Sequence, residues 1–243
     1  MKASLPRKIL IMLVSLYVTL RITVIVLYWT YVKRGYPRKD GDGLLAWWSN
    51  GLVNAVRIKK TVFDPFNIRI KPGKRYIIMS NHRSHYDIPL MILSLPPSIR
   101  MLTKKELFRI PLWGRGMAAG EFISIDRNNI EQAKQDLKKA REKMEDGIVL
   151  WIAPEGTRSR SGRMGTFKKG GFILAIDAGA QIIPVGIRGS EKVLPAKTWD
   201  FFLDQKVEVH IGKPIDASAY TVEHKDELIE AVRREISILC GEA

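Results

Sequence analysis

The sequence is poor in the residues that build disulfide bonds and metal sites. One cysteine, Cys240, occurs among 243 residues, so an intramolecular disulfide and a cysteine-rich zinc site are both excluded. The chain also lacks a Walker-type glycine–lysine–serine loop and the spaced glycines of a dinucleotide-binding turn, so it carries no fingerprint of nucleotide binding. A metal site would therefore require that at least two of the four histidines lie close together. These histidines are His82, His85, His210 and His224.

Acidic residues are scarce in the first third of the chain. The whole sequence has 40 Lys and Arg against 25 Asp and Glu, which gives a formal net charge of +15. Residues 1–75 hold fifteen of these basic residues and three of the acidic ones, so twelve of the fifteen excess charges lie there. Such an excess indicates an anionic partner, and by charge alone both nucleic acid and anionic lipid fit.

The most apolar stretch of the protein lies in the same third. From Ile9 to Val32 the only charge is Arg21, and about 20 apolar residues are enough to cross a bilayer. The Ile, Leu and Val residues of this stretch favour insertion by roughly 4–8 kcal/mol, whereas a central arginine costs about 2.5–3.5 kcal/mol. We therefore expect a phospholipid membrane as partner. A nucleic acid is not expected, because the basic residues accompany this apolar run and no nucleic-acid-binding motif.

A cleaved signal peptide is an alternative interpretation of this segment, since Lys2, Arg7 and Lys8 precede it. Against it, the apolar run exceeds the roughly 7–15 residues of a signal core, and no small-x-small cleavage site follows it. A non-catalytic adaptor for anionic lipid is also compatible with the charge and the apolar run alone.

A second apolar segment, Gly43–Val56, is too short to span a bilayer. It carries Trp47 and Trp48, which suit an interfacial depth. Because glycines and a proline lie between the two apolar segments, the sequence predicts a helical hairpin that dips into one leaflet. A single full span by Ile9–Val32 stays open, since both flanks of that segment are basic.

From about residue 66 short apolar runs alternate with helical periods, which is typical of an α/β domain. We predict a mixed, mainly parallel sheet flanked by helices over residues 61–243, preceded by a membrane-anchoring helical segment over residues 1–60. The predicted strands are Asn67–Lys71, Arg75–Ser80, Ile99–Thr103, Phe122–Ile125, Ile148–Ala153, Gln181–Ile187 and Val207–Gly212. The predicted helices are Ile88–Leu93, Lys105–Ala118, Asn129–Glu145, Lys169–Ala178 and His224–Leu239.

A candidate catalytic pair follows the predicted strand Arg75–Ser80. His82 and Asp87 belong to a loop that leaves the end of this strand, where α/β folds place reactive groups. If Asp87 begins the next helix, its carboxylate can accept the Nδ1 proton of His82 and leave Nε2 free to take a proton from a hydroxyl. By spacing alone Asp87 is equally compatible with a simple helix cap, and we interpret His85 as a loop or cap residue.

Basic residues follow three of the predicted strands. Residues 154–163 after the buried strand Ile148–Ala153 contain an acid, hydroxyls and three arginines, and the planar fork of arginine suits phosphate. If the three strands point the same way, their cations converge near His82, as a phosphorylated, hydroxyl-bearing acceptor would require. Taken singly, each of these residues is as compatible with a solvated surface charge: Lys104, Lys105, Arg127 and Arg158.

These motifs resemble the glycerolipid acyltransferase family of 1-acyl-glycerol-3-phosphate acyltransferases. The first family block, Asn-His followed by four residues and Asp, stands here at residues 81–87, and the Pro-Glu-Gly-Thr-Arg-Ser block stands at Pro154–Ser159. An apolar run ending in Asp-Arg stands at Phe122–Arg127, and an apolar run around a proline at Ile182–Val185. The four blocks occur in family order over roughly residues 75–190. Ala153 departs from the pattern, because the family often has an aromatic residue there.

The resemblance implies transfer of a fatty acyl group from a thioester, on acyl-carrier protein or coenzyme A, to the 2-hydroxyl of 1-acyl-glycerol 3-phosphate (lysophosphatidate), giving phosphatidate. His82 is then the expected general base, Asp87 orients it, and neither a metal nor a cofactor is needed. Another lysophospholipid acceptor is the nearest alternative. The expected location is the cytoplasmic face of the inner (plasma) membrane. The residues expected to bind the acceptor are Lys104, Lys105, Arg127, Glu155, Gly156, Thr157 and Arg158.

Overall fold

The structure, a computed structural model, describes residues 1–95, 97–159 and 163–242. Two helices at the start of the chain pack against an α/β domain that accounts for the rest. Three residues of the arginine-bearing segment predicted from the sequence lie outside the described residues: Arg160, Ser161 and Gly162.

The chain begins with a helical hairpin. Helix α1 (Leu5–Leu27) continues into a π-helical turn (Tyr28–Val32), and α2 (Arg38–Ala55) returns along it. Leu5–Val32 is long and apolar enough to cross a membrane. Of its most apolar 18-residue stretch, 22% is buried within the protein. The buried residues lie on one face of α1, so the helix is apolar on both its packed and its exposed sides. They are Ile11, Val18, Ile22, Thr23 and Val26.

A mixed sheet forms the centre of the domain. Its strand order is β1-β7-β6-β2-β5-β3-β4, and β8 pairs with β6. All of its pairings are parallel except those of β6 with β7 and with β8. The carboxyl ends of β2, β3, β4 and β5 therefore lie at one edge, as the sequence predicted. The strands are β1 (Lys59–Phe63), β2 (Tyr76–Ser80), β3 (Ile99–Lys104), β4 (Ile123–Ile125), β5 (Val149–Ile152), β6 (Gln181–Arg188), β7 (Lys206–Ile211) and β8 (Ile215–Asp216).

Helices cover both faces of the sheet, which explains why its central strands are apolar on both sides. In β2, Ile78 packs with Val53 and Leu90 on one face, whereas Ile77 packs with Phe172 on the other. The domain helices are α3 (Asp87–Ser94), α4 (Trp113–Ala119), α5 (Ile130–Glu145), α6 (Gly170–Asp177) and α7 (Lys225–Cys240).

Two of the predicted elements are wrong. Asn67–Lys71 forms no strand, although Ile68 and Ile70 alternate with polar residues, because a proline lies close to each end and the segment has no pairing partner; the strand at this edge is β1. The predicted helix Lys105–Ala118 is interrupted around Pro111, which separates a 3₁₀ turn at Lys105–Arg109 from α4.

A buried arginine joins the hairpin to the domain. Arg100 in β3 is fully buried and donates to Asp42 Oδ1 in α2 at 2.8 Å and to the carbonyl oxygen of Gly120 at 2.6 Å. At the first residues of the chain, Ala3 N–H donates to the Phe201 carbonyl at 2.8 Å. The hairpin is thus held to the domain at separate points along its length, and β1 begins at Lys59, just before the predicted boundary at residue 60.

Candidate active site

His82 and Asp87 are in direct contact at the carboxyl end of β2. Asp87 is the first residue of α3, and its Oδ2 lies 2.7 Å from His82 Nδ1. The same oxygen accepts the backbone N–H groups of Arg83 at 2.8 Å and Ser84 at 2.9 Å. Asp87 is fully buried, whereas 15% of the His82 side chain is exposed. Because the carboxylate accepts the Nδ1 proton, Nε2 is left as the acceptor of the imidazole.

The loop that carries this pair, residues 81–86, is fixed to the sheet by side-chain hydrogen bonds; we call it the histidine loop. Asn81 donates to the Ile187 carbonyl at 2.9 Å and accepts the Ile187 N–H at 2.8 Å. Ser84 Oγ donates to the Leu194 carbonyl at 2.9 Å. The Trp151 ring meets the His82 ring edge-on with centroids 6.1 Å apart. The imidazole is therefore held by its neighbours before any substrate binds.

A second loop lies beside the first between β5 and α6; we call its described residues, 153–159 and 163–169, the arginine loop. Glu155 connects the two, because Oε1 accepts the His82 N–H at 3.2 Å and Oε2 accepts the Gly165 N–H at 2.8 Å. Ser159 N–H also donates to the His82 carbonyl at 2.8 Å. Burial raises the pKa of Glu155, and the two backbone N–H groups oppose that rise.

The arginines lie on this loop or beside it. The Arg127 guanidinium donates to the carbonyl of Gly156, a glycine whose φ of +73° disfavours other residues. Burial lowers the pKa of the Arg158 guanidinium. The negative charge of the nearby Asp87 carboxylate opposes this lowering. The structure thus places Glu155 against the backbone of His82, Arg158 next to Ser159, which also contacts His82, and Arg127 on Gly156 of the same loop.

The other three predicted binding residues are either paired with an acid or exposed. Lys105 forms an ion pair with Asp126, so its charge is already partly neutralised. Lys104 is exposed at the end of β3, and Thr157 is exposed on the arginine loop. The roles expected of these three residues, like those expected of the other catalytic and binding residues, stay predictions.

An apolar cavity of about 310 Å³ lies between the hairpin and the domain. Its volume is at the lower end of the range for ligand pockets. Its walls come from α1, α2, α3, β3 and α4, and they include His85, three residues after His82. Other lining residues are Thr23, Leu45, Met101, Leu107, Trp113 and Phe122.

His85 lies in the histidine loop, as the sequence predicted, and it also contributes to the cavity wall, which the sequence did not predict. Desolvation is the main cause that lowers its pKa to about 4, and the positive charge of Arg158 acts in the same direction, so the ring is neutral near pH 7 although part of it is exposed. Its sequence position gave no signal, because its place in the cavity wall depends on how the hairpin packs.

Comparisons with known proteins identify the family of the chain. The family model described as Acyltransferase matches residues 62–188. The chain is 34% identical over 142 residues to a chloroplastic 1-acyl-sn-glycerol-3-phosphate acyltransferase of Arabidopsis thaliana, covering 58% of this chain and 40% of that protein. It is 34% identical over 159 residues to a 1-acyl-sn-glycerol-3-phosphate acyltransferase of Haemophilus influenzae, covering 65% of each. The matched region thus spans less than two thirds of these relatives.

A solved structure resembles the whole fold. The crystal structure of the 1-acyl-sn-glycerophosphate acyltransferase of Thermotoga maritima superposes with a TM-score of 0.73 at 26% identity, covering 96% of this chain and 97% of that one. The family model alone covers just over half of the present chain, and the residues that it matches include both the histidine loop and the arginine loop. The chain therefore belongs to the acyltransferase family that includes these 1-acyl-sn-glycerol-3-phosphate acyltransferases.

Proposed function

We propose that the protein transfers a fatty acyl group from a thioester to the 2-hydroxyl of 1-acyl-glycerol 3-phosphate and so produces phosphatidate. One observation carries the proposal. An oriented imidazole at His82, an apolar cavity walled by His85 and a loop bearing Arg158 meet at one edge of the sheet. The names of the relatives support the choice of acceptor.

The chemical step uses His82 first as a base and then as an acid. Nε2 takes the proton of the acceptor hydroxyl as its oxygen attacks the thioester carbonyl carbon, and the Asp87 carboxylate stabilises the imidazolium that forms. When the tetrahedral intermediate collapses, the carbon–sulfur bond breaks and the proton passes from Nε2 to the leaving thiolate. General acid–base assistance of this kind is typically worth about 10²–10⁴-fold. Neither a metal ion nor an organic cofactor enters the step.

The apolar cavity is proposed to hold the acyl chain of the donor. Its walls include Leu45, Met101 and Phe122, and burying each methylene of an acyl chain contributes about 0.8 kcal/mol. With the chain in this cavity, the thioester carbonyl lies toward His85 and His82. The carrier of the acyl group, acyl-carrier protein or coenzyme A, binds outside the cavity, where the structure favours neither.

The acceptor phosphate is proposed to bind at the arginine loop. Arg158 supplies a guanidinium near the catalytic pair, and Arg127 supplies a second one beside Gly156. Glu155 holds this loop against the histidine loop, so its proposed contribution is to shape the site. Lys104 and Lys105 lie at the adjacent strand end and complete the basic environment that we expect for a phosphate.

The membrane is proposed to receive the exposed face of α1, with the helix lying in one leaflet. A crossing orientation is disfavoured, because α1 is packed on the domain through Ile11 near its start and Val26 near its end. The opposite face exposes large apolar side chains, including Leu13, Leu16 and Val24. This placement at the cytoplasmic leaflet would bring the site to the depth of the lipid headgroups.

Product analysis tests the proposed function directly. Purified protein in mixed micelles is given a radiolabelled acyl thioester of each donor type and a panel of lysophospholipids, and the products are separated. We expect labelled phosphatidate from lysophosphatidate, its loss in His82→Ala and its retention in His210→Ala, a control on β7 outside the site. Equal activity of the first variant and the wild type would contradict the proposal, and labelled product from a different lysolipid would reassign the acceptor.

A further inference from the structure

A second carboxylate connects the histidine loop to the arginine loop. Glu242 follows the end of α7, and its Oε1 accepts a hydrogen bond from the Arg83 guanidinium. Its Oε2 accepts the Met164 N–H at 2.9 Å. One carboxylate from the far end of the sequence thus bonds both loops that form the site.

The arrangement resembles that of Glu155, shifted by one residue in each loop, forward in the histidine loop and backward in the arginine loop. Glu155 accepts the N–H groups of His82 and Gly165, whereas Glu242 contacts the neighbours of these two residues, Arg83 and Met164. The two carboxylates are close enough that Glu242 contributes to the raised pKa of Glu155. Two like charges placed side by side repel each other, and the Arg83 guanidinium partly offsets this repulsion through its ion pair with Glu242.

Arg83 lies next to the catalytic pair in the chain. Its backbone N–H is one of the donors to Asp87 Oδ2, and its side chain is buried, with 9% of the residue exposed. Cys240 Sγ lies 3.9 Å from the same guanidinium nitrogen that contacts Glu242. The position of the Arg83 side chain therefore affects the position of the backbone N–H that donates to the Asp87 carboxylate.

The arginine loop is held by the same helix from its other side. Arg233 of α7 donates to the carbonyl oxygens of Gly165 at 2.6 Å and Met164 at 3.4 Å. Arg233 in α7 and Glu242 just after it thus bind the carbonyl group and the N–H of Met164, respectively. The position of the loop thus depends on the C-terminal helix.

We infer that Glu242 is a positioning residue, which acts through Arg83 and Met164 to fix the spacing between the His82–Asp87 pair and the arginine loop. The inference rests on the proposed acyl transfer for its kinetic consequence, but its structural consequence is independent of it. An acceptor held by its phosphate at the arginine loop must present its hydroxyl to His82, so this spacing determines whether the bound acceptor is productively oriented. A misplacement of about 1 Å can cost on the order of 10²-fold in rate.

Kinetics of Glu242→Gln provide the first test. The amide oxygen can still accept the Met164 N–H, but the charge opposite Arg83 is lost. We expect kcat/KM for the acceptor to fall about tenfold, KM for the thioester to change less than twofold, and Glu230→Gln, an exposed control on the same helix, to match the wild type. A smaller yield of folded protein whose kcat per folded molecule and KM for both substrates are unchanged would indicate a merely structural role and overturn the inference.

A double-mutant cycle tests whether Glu242 acts through Arg83. If it does, Arg83→Gln combined with Glu242→Gln reduces acceptor kcat/KM no further than the worse single variant. Losses that multiply would overturn the inference. An acceptor KM that rises as kcat stays constant would support it as well as a fall in kcat, because both reflect the orientation of the bound acceptor.

Hydrogen–deuterium exchange gives a readout that does not require activity. In Glu242→Gln, a peptide covering residues 163–169 should take up deuterium several times faster than in the wild type, with no change in a peptide from α5. Unchanged exchange at residues 163–169 would overturn the inference even if phosphatidate is formed. If the wild type forms no phosphatidate, the proposed function fails, and this exchange experiment still decides the role of Glu242.

Discussion

Asn81 and Ile187 exchange two hydrogen bonds, one from the Asn81 amide to the Ile187 carbonyl at 2.9 Å and one from the Ile187 N–H to Asn81 Oδ1 at 2.8 Å. The side chain of Asn81 thereby imitates a strand neighbour and pairs with the backbone of β6. Because Asn81 precedes His82, this pairing fixes the start of the histidine loop to the sheet.

Replacement of Asn81 by alanine should destabilise the protein and reduce its activity. The change leaves the buried N–H and carbonyl of Ile187 without their partner, and each buried unsatisfied group costs about 1–3 kcal/mol. We expect the free energy of unfolding to fall by about 2–4 kcal/mol in urea titrations. Asn50→Ala, at an exposed residue of α2, is the matched control and should change it by less than about 1 kcal/mol.

Replacement of Asp87 by asparagine should affect turnover more than acceptor binding. An amide cannot stabilise the imidazolium of His82 as a carboxylate does, and one of its orientations directs N–H groups at the three donors now bonded to Oδ2. We expect kcat to fall about 10²–10⁴-fold with acceptor KM within about threefold of the wild type. A variant that folds and turns over at the wild-type rate would exclude Asp87 as the orienting group.

Stability should depend on pH through His85. Its pKa is about 4 in the folded protein, well below the ordinary value of 6.5, mainly because of desolvation and because of the charges of Arg158 and His82, which the Asp87 carboxylate opposes. The unfolded chain therefore binds the proton more readily, and the free energy of unfolding falls as pH is lowered from about 6.5 toward 4. In His85→Gln this contribution is absent.

The measurement for His85 is a comparison of urea midpoints at pH 7 and at pH 4.5. The wild type should lose more stability between these two values than His85→Gln does. Identical losses in the two proteins would show that His85 titrates normally in the folded state.

A bulkier side chain at Met101 should shorten the acyl chain that the enzyme prefers. Met101 lies in β3 and lines the cavity, so Met101→Trp reduces the space there. Each methylene that is excluded removes about 0.8 kcal/mol, or roughly fourfold in kcat/KM. Competition between thioesters of different length measures the shift, and Ile130→Trp, at a residue of α5 that is 76% exposed, should leave the preference unchanged.

A charge on the exposed face of α1 should weaken membrane binding. Leu16 is 54% exposed on that face, and full burial of a leucine contributes about 1.5–3 kcal/mol. In sedimentation with anionic vesicles we expect Leu16→Asp to bind at least tenfold more weakly, and Ile130→Asp to bind like the wild type. Equal binding of both variants would place the membrane contact elsewhere.

The sequence predicted those parts of the structure whose signal is local. The strands at the centre of the sheet are short apolar runs, and His82 and Asp87 lie five residues apart in one loop, so both could be read without knowledge of the fold. The edge strand Lys59–Phe63 was missed, because it is defined by its pairing with β7 almost 150 residues later. Glu242 was missed for the same reason, since it lies 159 positions from Arg83. His85 lies in a loop, as predicted, but its place in the cavity wall was not predicted, because it depends on the packing of a separate helical hairpin and not on its own neighbours.

The buried ion pair between Arg100 and Asp42 has a consequence for how such proteins can evolve. Half of the cavity wall belongs to the hairpin and half to the domain, and this pair fixes one half to the other. The hairpin is therefore not an interchangeable anchor. A lineage that replaced it with an unrelated membrane segment would also lose the hairpin's part of the cavity wall, so the membrane contact and the proposed acyl-chain site are inherited together.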